Sequence, residues 1–317
     1  MFSVSAKMQD GFDMIELKDN GSGTCVEVIP SCGALLHSFS VMHQGKSINV
    51  IDSYQNKLSF DTQMEELGFK SAKLSPFVCR MKNGAYSFEG KTHVVEGFYL
   101  GAHAIHGLVY KAQFDISLIQ ENEHSAVLEL VHHYDATDAG FPFKYSCQVQ
   151  YELSEKNGLT ITTTIKNNAG SDMPICDGWH PYFGFGGAID DCELAFKSKE
   201  IVEFDTDLIP TGKLIPYKEY YSLKKIGNSF LDNCFTANLD EAGATLVLRD
   251  PQQGLQLEIS PEGSYPFLQI YTPPHRQSIA IENLSAAPDA FNNKMGLIVL
   301  TAGEEKTFRT LYAICAK

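Results

Sequence analysis

Apolar residues recur at every second position along most of this chain, and that period limits what it can fold into. Cys147, Val149, Tyr151 and Leu153 alternate with Gln148, Gln150 and Glu152. After Ser154-Glu155-Lys156-Asn157-Gly158 the pattern resumes, with Leu159, Ile161, Thr163 and Ile165 on one face. Asn157-Gly158 between two such runs predicts a hairpin, because both residues tolerate positive φ. Leu255, Leu257 and Ile259 alternate in the same way, and further strands are expected at Ala85–Phe88, Phe114–Leu118, Phe267–Tyr271 and Ile279–Ile281, among others. The best helix candidate, around Gln63–Leu67, is only a turn or two long. No apolar 3.6-residue pattern is sustained over a dozen residues. Short strands broken by Gly, Asn, Asp and Pro predict an all-β fold, a large β-sandwich or barrel-like pair of sheets. No linker, charge block or short-period repeat divides the chain, so one domain over residues 1–317 is expected.

Composition excludes several functions. Asp and Glu outnumber Lys and Arg 39 to 25, giving a formal net charge of −14. With no basic stripe, nucleic acid and anionic membrane are not expected partners. The N-terminus carries no signal-peptide apolar core and no segment is long enough to span a bilayer. Eight cysteines scattered without CxxC pairing read as reduced thiols of a cytoplasmic protein.

One heptapeptide stands out: Asp177-Gly178-Trp179-His180-Pro181-Tyr182-Phe183. It sets a histidine, the only tryptophan, a proline and two aromatics together after an alternating segment. Proline ends strand pairing and fixes the direction of the histidine before it. Aromatic faces beside an imidazole suit a ligand with apolar faces and polar edges, such as a sugar ring. A core tryptophan at a strand end is the plainer alternative. By simple alternation Trp179 turns away from His180 and belongs to the core.

Four other segments hold ionisable groups in apolar settings. Arg80 stands at a strand end in Phe77–Phe88, His106 lies directly before Gly107, Asp232 interrupts Phe230–Phe235, and Glu282 closes the run Ile279–Ile281. On its own sequence Glu282 is as well explained by a structural pair with Arg276 or His275. His103 and His106 form an H-x-x-H, but no acid or cysteine stands at ligand spacing, so no metal site is expected. Asp190-Asp191 reads as solvated, and no dinucleotide loop or nucleophile elbow is present.

Taken together, these segments resemble the aldose 1-epimerase (mutarotase) family. Arg80 with Asn83-Gly84-x-Tyr86-x-Phe88-x-Gly90-Lys91, His106-Gly107, His180-Pro181-Tyr182-Phe183, Asp232, and Glu282 with Pro288-Asp289-Ala290-Phe291-Asn292 match its motifs in order. Two departures, Leu108 after Gly107 and Asp177-Gly178-Trp179 before His180, bear on which sugar is preferred. The resemblance implies a β-sandwich of the galactose mutarotase type and a cofactor-free enzyme acting on a small sugar, as monomer or homodimer. It also implies Glu282 as base and His180 as acid, on opposite sides of the sugar, opening and reclosing the ring by two proton transfers. Arg80, His106 and Asp232 would bind the substrate. A hexose-6-phosphate 1-epimerase, a glycoside hydrolase using Asp232 and Glu282, and a non-catalytic sugar-binding protein are the alternatives.

Overall fold

The computed structural model describes residues 1–317 and is built almost wholly from antiparallel strands. One nine-stranded sheet runs, in spatial order, Asp115–Glu121, Ser125–Tyr134, Tyr145–Ser154, Gly158–Asn167, Glu305–Ala316, Leu255–Pro261, Leu246–Asp250, Glu193–Phe196 and Lys224–Lys225. A second runs Pro210–Pro216, Ser198–Phe204, Asp232–Ala237, Phe267–Tyr271, Ile279–Leu284, Gly178–His180 and Ala72–Leu74, with Tyr182–Phe183 and Ile51–Asp52 beside it. A five-stranded sheet made by residues 2–49 adds to them. The chain is a β-sandwich, as its period-two pattern predicts.

Alternation becomes burial directly. Tyr145, Cys147, Val149, Tyr151 and Leu153 are fully buried, while Ser146, Gln148, Gln150 and Glu152 remain partly exposed. At Ile279–Leu284 the second sheet is covered on both faces, and every residue of that strand is buried. Its inner face closes on the first sheet. Asn283 Nδ2 donates to Thr310 Oγ1 at 3.1 Å, Trp179 packs edge-on to Tyr151, and Phe183 packs edge-on to Tyr312. One hydrophobic cluster runs from Phe2 to Ile314 through these contacts. Truncating one of its large side chains to alanine would cost about 2–5 kcal/mol. Because Trp179 and Asn283 face this core, His180 and Glu282 point to the opposite face.

Several sequence expectations shift. The helix is Lys57–Gln63, ending where the expected Gln63–Leu67 begins, and is capped by Asn56 and Ser59. Only Phe60 of it is buried, so seven residues offer no apolar stripe for periodicity to detect. Residues beyond Gln63 turn away at Gly68, whose φ is +80°. In the hairpin, Ser154 pairs with Gly158, and the positive φ angles belong to Lys156 and Asn157, so Gly158 opens the next strand. The strand expected from Phe114 starts at Asp115, because Phe114 is fully buried and anchors the approach. Asp190 is not simply solvated: Arg276 Nε donates to it at 2.7 Å. All eight cysteines are free thiols, and no helix is long and apolar enough to cross a membrane.

Candidate functional site

Register places the polar residues of the second sheet in two rows on its outer face. In the deeper row Gln269 lies opposite Glu282, and His180 follows the Trp179–Asn283 pair to stand next across. In the outer row Asp232 lies opposite Tyr271, Tyr271 opposite Ala280, and Ala280 opposite Tyr182. Pro181 interrupts pairing for one residue, its carbonyl accepting the Ile281 N–H at 3.1 Å. Tyr182 then rejoins the ladder and its ring stacks on His180 at 5.2 Å. The HPYF motif is thus a strand that bends without changing face.

Loops complete the walls. Arg80 pairs in register with Ile105, one residue before His106. The His106 backbone has φ +62° and its N–H donates to the Cys79 carbonyl at 2.9 Å. Gly107 follows at φ +80°, and a Cβ there would lie 2.1 Å from the Ser75 carbonyl oxygen. The glycine after His106 is therefore required by close backbone approach. Phe69 packs edge-on to His106 at 4.8 Å, and His106 packs edge-on to His180 at 4.8 Å. Phe69, Cys79, His106 and Leu208 all carry positive φ and all line the pocket, a concentration of backbone strain that marks functional sites.

The pocket they enclose has a volume of about 220 Å³ and is lined by Arg80, His106, His180, Asp232 and Glu282 together, with Gln269, Tyr271 and Cys79 among others. All five residues singled out in the sequence therefore meet in one cavity. Pockets for drug-sized ligands run roughly 300–1,000 Å³, so this one suits a single small ring.

Its chemistry centres on Glu282. Glu282 Oε1 lies 3.3 Å from His180 Nε2, and the Cys79 thiol donates to Oε2 at 3.7 Å. Glu282 and His180 thus stand side by side on one wall of the cavity, whereas the resemblance implied groups on opposite sides of the sugar. Strand register is the reason, since it sets the two residues next to each other. Neither Arg276 nor His275 reaches Glu282: the Arg276 guanidinium holds Asp190 and the Ser229 and Gly227 carbonyls. Burial pushes the Glu282 carboxyl well above its usual range, and the nearby Asp232 adds to this; Cys79 and Arg80 oppose it. Burial pulls the His180 imidazole down to about 4. His106 is also held well below its ordinary value, by burial and then by His180 and Arg80. The Asp232 carboxyl is raised by burial, against Arg80 and the Gln269 amide, which donates to it at 2.9 Å. Arg80 takes part in none of the chain's ion pairs.

His106, His180 and Glu282 bring three donor atoms within 4.8 Å of one another, a two-histidine, one-carboxylate set. H-x-x-H spacing does not reveal it, because His103 turns away and its Nδ1 accepts the Asn83 N–H at 3.0 Å. The Arg80 guanidinium shares the same cavity, and its charge opposes a cation there.

Beneath the site lies a second buried polar cluster. Lys73 Nζ donates to Asp177 Oδ1 at 2.5 Å and to the Gly178 carbonyl at 3.1 Å, and sits 4.5 Å from the Trp179 ring. Tyr265 donates to the other Asp177 oxygen at 2.7 Å. These contacts fix the strand that carries His180. Sequence reasoning missed this role of Lys73, and it missed Gln269. The signal for Gln269 was an amide inside Phe-Leu-Gln-Ile-Tyr, but only register ties it to Glu282.

The sequence matches the aldose 1-epimerase family over residues 13–313, nearly its whole length. The chain belongs to that family. An uncharacterized Escherichia coli K12 protein, YihR, is 26% identical over 248 residues, which is 75% of this chain and 77% of that one. Among solved structures, a galactose mutarotase-like protein from Clostridium acetobutylicum superposes with a TM-score of 0.87 at 17% identity, covering 100% of this chain and 99% of the other. A galactose 1-epimerase from Lactobacillus acidophilus gives 0.81 at 19% identity, over 100% and 99%. At these identities the two structures establish a shared fold, and it is the galactose mutarotase-like β-sandwich. For this aldose 1-epimerase family member, the residues at His106, His180 and Glu282 are thereby set in a fold that recurs in proteins bearing the epimerase name.

Proposed function

We propose that the protein is a mutarotase for an unphosphorylated aldose, with Glu282 and His180 as its proton-transfer pair. The observation that carries this is the buried contact between His180 Nε2 and Glu282 Oε1, 3.3 Å apart in a cavity sized for one ring. Burial makes each charged form costly, so the pair keeps one proton between its two partners. The reacting groups of a cyclic aldose are the C1 hydroxyl and the ring oxygen, both bonded to the same carbon. Two catalytic atoms in contact can serve both from one side. The pair's one proton passes across the contact to His180 as sugar binds, and Glu282, then a carboxylate, takes the proton of the C1 hydroxyl. The bond from C1 to the ring oxygen breaks, its electron pair goes to that oxygen, and His180 Nε2–H supplies the proton there. Rotation about C1–C2 and the same transfers in reverse close the ring on the other face. No net proton is gained or lost.

The remaining residues have roles that follow from chemistry. Arg80, without an internal carboxylate partner, would hold the oxygen on which charge develops. His106, kept neutral, would donate or accept one hydrogen bond, and Asp232 with Gln269 would fix sugar hydroxyls. Against a 6-phosphate substrate stands the wall itself, where Arg80 is the one Lys or Arg side chain facing Glu65, Asp232 and Glu282. Recognition of a phosphate dianion calls for converging cations instead.

The test is anomer equilibration of freshly dissolved α-D-glucose, α-D-galactose and α-D-xylose, followed by polarimetry or anomeric proton signals, with chelator present. Acceleration that survives the chelator is expected. Failure with every free aldose, or activity that returns only with an added divalent ion, would sink the proposal.

A further inference from the structure

Cys79 is a buried thiol that the proton transfers do not use, yet it links the groups that carry them. It lines the cavity and directly precedes the strand Arg80–Met81. Its carbonyl accepts the His106 N–H at 2.9 Å, so its backbone holds one wall. Its side chain reaches the other. Sγ donates to Glu282 Oε2 at 3.7 Å, while Glu282 Oε1 faces His180 Nε2 at 3.3 Å. The two carboxyl oxygens therefore have different partners.

No other side chain hydrogen-bonds to Oε2. His180 and Tyr182 face Glu282 from adjoining strands, Asp232 and Cys234 from across the sheet, and Arg80 and His106 from the loop wall. Of these only His180 touches the carboxyl, and it does so at Oε1. Gln269 lies opposite Glu282 in register, but its amide N–H is committed to Asp232 at 2.9 Å. Burial, and then the Glu282 and Cys234 charges, holds the Cys79 thiol well above its usual value, so it remains an S–H donor. A donor at Oε2 favours the bare oxygen there. The proton of the carboxyl is then left on Oε1, the side of His180.

We infer that Cys79 is a positioning residue of the reaction, its thiol orienting the Glu282 carboxyl so that the shared proton lies on Oε1, against His180. This rests on the assignment of Glu282 and His180 as the proton-transfer pair. When the proton passes to His180, charge grows on Oε2 and the thiol hydrogen bond strengthens with it. The carboxylate that takes the C1 hydroxyl proton is thereby stabilised at the moment it is needed. The thiol itself neither gains nor loses a proton. Without it the proton can settle on Oε2, where His180 does not receive it.

Cys79→Ala removes the thiol and keeps the carbonyl that holds His106, so it isolates the side chain. With a free aldose that the wild-type protein equilibrates, kcat should fall about fivefold, the size of one hydrogen bond, and KM should hardly change. The thiol opposes the upward push on the Glu282 carboxyl. Its loss should therefore move the alkaline limb of kcat to higher pH. In a Glu282→Gln background the same substitution should have no further effect on turnover, because no proton is left to place. A packing defect would lower the rate in both backgrounds and leave the limb where it was. Infrared spectra supply a reading that does not depend on turnover or on the folding of Cys79→Ala. One S–H stretch should lie at the hydrogen-bonded, low-frequency end of the thiol bands and move up in Glu282→Ala. An unmoved alkaline limb, equal losses in the two backgrounds, or an S–H band indifferent to Glu282→Ala overturns the positioning role and leaves the mutarotase proposal standing. Acceleration of no aldose by the wild-type protein overturns both.

Discussion

Glu282 and His180 sit where water cannot stabilise a charge, and their titration belongs to the pair. Adding a second proton requires charging His180, which burial holds down at about 4. Removing the last one requires ionising the pair against a carboxyl raised well above its usual range. Only the singly protonated pair has both a base for the C1 hydroxyl and a proton for the ring oxygen. kcat/KM should therefore be bell-shaped, falling on the acid side only near pH 4 and on the alkaline side well above the ordinary carboxylate range. An acid limb centred near the free histidine value would contradict the buried pair. Glu282→Gln should still bind sugar but lose roughly 10²–10⁴ in turnover. His180→Asn should lose about as much, and the double variant no more than either, because one proton cycle uses both. Calorimetric binding beside polarimetric rates separates the two effects. At this scale the sequence was informative: Arg80, His106, Asp232 and Glu282 each break an apolar run, and a charge in such a run needs a reason. Cys79 gave no such sign and the Gln269 amide only a faint one, because a cysteine beside a strand and an amide within one acquire meaning only from the neighbours that the fold brings in.

Strands were legible wherever one face met solvent, because alternation then shows in the letters. The strand Ile279–Leu284 is buried on both sides, and its run of apolar residues hides which face is the site. The short elements were misplaced for a related reason: a seven-residue helix and a three-residue turn are set by caps and positive φ, and period detects neither. Trp179 is the case where alternation worked, since it lies 2% exposed behind His180, against Tyr151 and Lys73. Aqueous quenchers should scarcely reach its emission, and saturating sugar in Glu282→Gln should hardly shift it. A large sugar-dependent shift would place the indole in the cavity instead. What holds that strand is the fully buried Lys73–Asp177 pair. Lys73→Met removes one charge and strands the other, so about 3–5 kcal/mol of stability should disappear. Lys73→Met with Asp177→Asn should recover part of it in denaturant melts. Equal losses in the single and double variants would show that the pair is not what fixes the strand.

Charge across the whole molecule bears on the one substrate question the cavity leaves sharpest, free sugar against sugar phosphate. The chain carries a formal net charge of −14, and its cavity adds three carboxyl groups to a single guanidinium. A neutral aldose feels almost none of this field. A hexose 6-phosphate approaches as an anion and is repelled by the surface before it reaches the cavity. Salt screens such repulsion, with a Debye length of about 8 Å at physiological ionic strength and about 3 Å at 1 M. Two responses follow when kcat/KM is measured across added sodium chloride. For glucose it should stay flat. For glucose 6-phosphate it should begin at least tenfold lower and climb as salt rises, because screening weakens the repulsion. Were the phosphate a true ligand, held by cations near Arg80, the slope would have the opposite sign: screening would weaken an attraction and kcat/KM would fall. The sign needs no knowledge of the absolute rate, and a falling curve for the phosphate would transfer the proposed substrate from the free to the phosphorylated sugar.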